Sequence, residues 1–173
     1  MIRPEELSTA AEKKQKENLA FRRYLKIHAD PQKLDRQFRR LHKELFSKYD
    51  CNACRNCCKV MNASISEEEL PDCAKQLAME PEEFKAKYLT DSPEGGYEAL
   101  HTPCDFLNED GSCMLGKQKP ENCADFPFTQ RPDRIGSLLG IVENTFVCPV
   151  VYEMLEQLKE EYGFVYYRGK RKR

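Results

Sequence analysis

The stretch Cys51-Asn52-Ala53-Cys54-Arg55-Asn56-Cys57-Cys58 places four of the chain's nine cysteines within eight residues. Thiolates this crowded repel one another unless something positive lies between them, and a metal ion or an iron–sulfur cluster is the usual solution. Cys51, Cys54 and Cys57 form a C-x2-C-x2-C run, the opening of the bacterial ferredoxin signature. The fourth position departs from that signature, because Cys58 follows Cys57 at once. Adjacent side chains usually point in different directions, so Cys57 and Cys58 suit two different metal atoms better than one. One multi-iron cluster satisfies this, as do two neighbouring ions; four-cysteine zinc sites also commonly open with C-x2-C.

The remaining composition supports metal rather than disulfides. Charged residues are 33% of the 173 and mean hydropathy is -0.75, which gives a modest core and no apolar run long enough to span a bilayer. The first residues, Met1-Ile2-Arg3-Pro4-Glu5-Glu6, lack the basic start and apolar run of a secretion signal, so a cytoplasmic location is expected, with no membrane contact. In a reducing compartment nine cysteines point to metal or redox chemistry, and an odd count with a vicinal pair fits a disulfide framework poorly.

Outward from the cluster, residues 1–49 contain no cysteine and read as a helical extension. Asp30-Pro31 has the form of an N-cap followed by proline at the first helical position. Leu34, Phe38, Leu41, Leu45 and Tyr49 then recur at helical spacing, and Phe21, Tyr24, Leu25 and His28 suggest an earlier amphipathic helix, so the two predict a helical hairpin. Downstream, Ser66-Glu67-Glu68-Glu69 has capping-box form with Pro71 displacing the helix start. A short helix is expected from Pro81 to about Tyr88-Leu89, and Gly95-Gly96 is a loop. Asn108-Glu109-Asp110-Gly111 is turn chemistry, so Phe106-Leu107 and Cys113-Met114-Leu115 are the expected arms of a small β-hairpin. Prolines 120, 127 and 132 break any long element. A last helix is expected from Cys148-Pro149 to Gly163, and a thiol at a helix N-terminus favours the thiolate form.

Charge is segregated along the chain. Residues 1–50 carry 13 Lys/Arg against 8 Asp/Glu, and residues 66–98 carry 10 acidic groups against 3 Lys. The tail Arg168-Gly169-Lys170-Arg171-Lys172-Arg173 is almost purely basic. It suggests nucleic acid only weakly, since no aromatic interleaving or groove-reading motif accompanies it; a solvated terminus is the plainer reading.

Four more cysteines, Cys104, Cys113, Cys123 and Cys148, bring the clustered set to eight, the ligand count of two four-cysteine sites. Cys73 is left over and reads as a free helical thiol. The run at 51–58, Cys104-Asp105-Phe106-Leu107, Gly111-Ser112-Cys113, Pro120-Glu121-Asn122-Cys123-Ala124-Asp125-Phe126-Pro127 and Cys148-Pro149 together resemble the CxxCxxCC, or YkgJ-like, family. The resemblance covers roughly residues 50–150. It implies zinc or iron chelation, or an iron–sulfur cluster, held by the eight cysteines and not by Cys73. It also implies an arginine after Cys123 and a tyrosine two residues after Cys113, where this chain has Ala124 and Leu115.

His101 stands three residues before Cys104, an H-x2-C spacing that could complete a mixed Cys/His zinc site, though such a histidine is more often a surface or outer residue. His28 and His42 read as surface or packing residues. No phosphate loop, Ser/His/Asp set or H-E-x-x-H motif is present, and no catalytic acid or base stands out.

These readings predict a mainly α protein with irregular, metal-organised loops and one small β-hairpin. Its expected parts are a helical extension at 1–49, a metal-binding domain at 50–163 and a basic tail at 164–173. The expected function is metal binding through Cys51, Cys54, Cys57, Cys58, Cys104, Cys113, Cys123 and Cys148. An iron–sulfur cluster of the 4Fe-4S type with a redox or accessory role comes first. A structural Zn2+ module with one or two four-cysteine sites is the alternative, with residues 1–49 as the surface for an unidentified protein partner.

Overall fold

The computed structural model describes residues 1–167, so the basic run from Arg168 lies outside the described residues. In chain order the elements are α1 (Pro4–His28), α2 (Pro31–Phe46), α3 (Cys51–Cys54), α4 (Asn56–Val60), β1 (Ser64–Ile65), α5 (Leu70–Gln76), α6 (Pro81–Tyr88), β2 (Leu89–Asp91), β3 (Tyr97–Ala99), a 3-10 turn (Gly116–Gln118), α7 (Glu121–Asp125), α8 (Arg134–Asn144) and α9 (Pro149–Glu161). The mainly α class with a small antiparallel sheet is thus as the sequence indicates. The chain forms two compact units: Met1–Tyr49 with the described residues from Pro127 on, and Asp50–Phe126.

The helical unit is built from α1, α2, α8 and α9, with α8 and α9 each packed on both α1 and α2. Its helices follow from ordinary signals. Proline occupies the first turn of α1, with Glu5 and Glu6 at its positive end and Lys26 and His28 at its negative end, each favourable to the helix dipole. In α2, Asp30 caps Lys33 N at 2.7 Å, and Leu34, Phe38, Leu41 and Leu45 form the buried stripe. The helix ends at Phe46, so Tyr49, read as its next turn, lies beyond it. The facing stripes are Leu138, Ile141 and Val142 on α8 and Val150, Val151, Met154, Leu155 and Leu158 on α9.

Polar ties fix the packing. Lys159 of α9, almost fully buried, donates to Glu17 of α1 at 2.9 Å and to Glu156 at 2.5 Å. Lys14 bridges the same two carboxylates at 3.1 Å each. Asp35 of α2 accepts from Asp133 N and Arg134 N, which fastens the start of α8. Sequence reading grouped residues 127–163 with the cysteine motifs. By compactness, α8 and α9 group with the first two helices, whereas motif order sets residues 50–163 together.

The cysteine unit has no long element. A three-stranded antiparallel sheet, ordered β1-β3-β2, pairs Leu89 with Ala99 and Asp91 with Tyr97 across the β2–β3 hairpin, and Ser64 with Glu98 on the other edge. The hairpin loop requires glycine at 96: φ is +69°, and a Cβ there would lie 2.7 Å from Ile65 O. The sheet, α5 and α6 enclose a small core of Ile65, Leu70, Ala74, Phe84, Leu89, Phe106 and Leu115. Phe84 and Phe106 stack at 5.5 Å with an interplanar angle of 7°.

The expected hairpin at 106–115 is reduced to a single bridge, Leu107 with Cys113. Its turn forms as the residues suggest: Asn108 N donates to Ser112 O, Gly111 N to Asn108 O, and Ser112 N to Asp110 Oδ1. Pairing stops there because Gly116 N turns back to Cys113 O, entering the 3-10 turn. The true hairpin lies at 89–99.

Candidate metal centre

Each thiol of the cysteine unit is placed by a short element with an identifiable cause. Asp50 Oδ1 accepts from Asn52 N at 2.8 Å and Ala53 N at 3.2 Å, capping the single turn of α3. Arg55 then adopts φ 50°, ψ 20°, which ends α3 and opens α4. Its guanidinium closes the joint, donating from Nε to Asn52 O and from Nη2 to Asn52 Oδ1 at 2.6 Å. The four clustered cysteines therefore sit on two one-turn helices around a left-handed residue.

Remote segments are tied to this pair. Cys104 N donates to Cys58 O at 2.8 Å. Cys123 lies on α7, whose first residue Glu121 donates its N–H to Glu69 Oε1 at 2.6 Å. Glu69 also accepts from Ser66 N, while its own N–H donates to Ser66 Oγ. The capping box read in the sequence is real, and it additionally anchors the helix that carries Cys123.

These ties bring Cys58, Cys104, Cys113 and Cys123 to the wall of one cavity of about 20 Å³, shared with Arg55, Lys119 and apolar residues that include Phe106 and Leu115. No carboxylate lines it. Cys57 lies beside it, with Sγ 3.9 Å from the Cys58 Sγ, whereas Cys51 and Cys54 lie outside the lining, on α3. Among the described residues, no three His, Cys, Asp or Glu side chains stand as close together as the ligands of an ion do.

Two further predicted residues are not in the lining of the cavity. His101 does not line the cavity; its Nδ1 is 2.7 Å from Asp105 Oδ1 and the ring is largely exposed. Cys148 belongs to the helical unit, buried at the N-cap of α9, with its N–H on Asn144 O. Cys73 is buried in α5 and its thiol donates to Gln118 O at 3.4 Å. Sequence reading missed Arg55 and Lys119 as members of the cavity; spacing rules concern ligands and carry no signal for the cations beside them.

The thiols differ in acidity. Burial pushes Cys123 up to about 11, against the opposing pull of Lys119, and burial also raises Cys104. Cys73 is pushed up to about 11, again mainly by burial. Cys57 and Cys58 share one hydrogen bond, so the first proton leaves easily and the second is held. Cys58 is lowered to about 6 by the Cys57 donor, and Cys57 is raised by the same bond and by burial.

The donor set suits a thiophilic metal. Four cysteines line one cavity that no carboxylate lines, and thiolate donors favour zinc or iron over magnesium or calcium. The sequence pattern of the CxxCxxCC family, described as "Putative zinc- or iron-chelating domain", matches residues 50–149. The chain belongs to the CxxCxxCC family. No curated protein and no solved structure matches the chain. The CxxCxxCC match spans all of the cysteine unit and reaches into the helical unit as far as the start of α9.

Proposed function

We propose that residues 50–126 hold a metal centre through the thiolates of Cys58, Cys104, Cys113 and Cys123, with Cys57, Cys54 and Cys51 as the adjoining donors. The observation that carries this is the presence of four cysteines, from α4, two loops and α7, in the lining of one carboxylate-free cavity. Family membership supports chelation of zinc or iron. Our preferred identity is an iron–sulfur cluster of the 4Fe-4S type with a redox or accessory role. The C-x2-C-x2-C run supports it, as does a thiol supply within one unit that exceeds the four a single ion takes.

A second reading, tetrahedral zinc, has its own support. Sulfurs about 2.3 Å from a central ion are about 3.8 Å apart along a tetrahedron edge. The Cys57 and Cys58 sulfurs are 3.9 Å apart, so the vicinal pair can share one ion.

Purification without oxygen, followed by the visible spectrum and by iron, sulfide and zinc analysis, separates the readings. A brown protein with matching iron and sulfide is expected. A colourless protein with stoichiometric zinc establishes the second reading, and a protein with neither removes both.

A further inference from the structure

Of the two cations at the thiol cavity, Arg55 is already engaged, since its Nε and Nη2 are held by Asn52. Lys119 is not. It lines the cavity, and it forms no ion pair or side-chain hydrogen bond among the described residues. Its position is set by the backbone: Gln118 N donates to Leu115 O at 2.8 Å to close the 3-10 turn before it, the Cys73 thiol donates to Gln118 O, and buried Pro120 follows. Lys119 is half-buried and shares the lining of the cavity with four cysteines and no carboxylate.

We infer that Lys119 is the counter-charge of the metal-loaded thiol cavity, a positioning residue that stabilises the bound state without being a ligand. This rests on the metal-centre reading above. Four thiolates around a divalent ion carry a net charge of -2, the sum of four negative charges and two positive ones. Excess charge in a partly dry cavity is costly unless paired. Arg55 and Lys119 together supply that pairing.

The test uses the full chain, with zinc as the probe, and compares Lys119→Met, Lys119→Arg and, as control, Lys117→Met on the exposed side of the same turn. Zinc affinity is measured by competition with a chromophoric chelator at low and high salt, and thermal melting is recorded with and without zinc. Lys119→Met should weaken zinc binding about tenfold at low salt, less at high salt where charges are screened, while Lys119→Arg stays within about threefold. Lys117→Met should bind as the parent does. Melting of the metal-free chain should be unchanged or raised by Lys119→Met, so that only the zinc-dependent increment falls. Parent-like zinc affinity in Lys119→Met overturns the inference alone, as does an equal loss of melting temperature with and without zinc. If the parent itself binds no zinc and no iron, the metal-centre reading fails and the inference falls with it.

Discussion

The two units of this chain are stabilised by different means. In the helical unit, α1, α2, α8 and α9 run for 11 to 25 residues and bury continuous apolar stripes. In the cysteine unit the helices run for four to eight residues and the strands for two or three. Its apolar core is centred on the Phe84–Phe106 stack, and Cys104, Cys113 and Cys123 pack against that core. Helices this short do not hold themselves in water, because nucleation is too costly for the few bonds gained. The first unit is therefore specified by packing, and on the metal-centre reading proposed above the second leaves a share of its stability to what its thiols bind.

Metal removal should break the comparison most sharply. Chelation under reducing conditions is expected to raise amide exchange across 50–126 by orders of magnitude while protection in α1, α2, α8 and α9 persists, as hydrogen exchange resolved by peptide will show. Uniform loss over both units would refute this division. Next in size are core truncations. Phe38→Ala in α2 and Phe106→Ala in the cysteine unit should each cost about 3–5 kcal/mol, read by denaturant melts. Only Phe106→Ala should also lower metal retention, because Phe106 shares the cavity wall with the thiols.

Regular packing was also the more legible in sequence. Asp30-Pro31 and the stripe from Leu34 to Leu45 gave α2 almost to the residue, and Cys148-Pro149 gave the start of α9. Helix α8 was lost because Gly136 and Gly140 interrupt its pattern and three prolines precede it; Pro132-Asp133 before Leu138, Ile141 and Val142 was the available signal. The β2–β3 hairpin was hidden because β2 continues directly from α6 without a turn residue between Tyr88 and Leu89. At the site, the thiols were readable from spacing. That Glu69 ties α5 to α7, and that Lys119 and Arg55 join the cavity, depend on contacts between distant residues that no local pattern encodes.

Smaller effects sharpen the contrast. Metal-free, reduced protein should lose stability as pH rises from about 9 to about 11. Cys73 and Cys123 ionise at about 11 when folded, against an ordinary 9.0. A raised acid contributes stability that is complete below pH 9 and lost on the way to about 11. Thermal melts across that window should fall, and Cys73→Ala should flatten part of the decline. In the helical unit, Asp30→Ala removes the α2 cap and should cost about 1 kcal/mol by denaturant melts, with no change in bound metal. Smallest is Cys73→Ser, which should leave metal content as in the parent.

The central claim is that the cavity thiols hold the metal. It is tested most directly by metal analysis of anaerobically purified parent and of a Cys104→Ser/Cys123→Ser double variant, both checked for folded helix by circular dichroism. The account predicts stoichiometric iron or zinc in the parent and a loss of most of it in the variant, with helical signal retained. Parent-level metal in the double variant would contradict it.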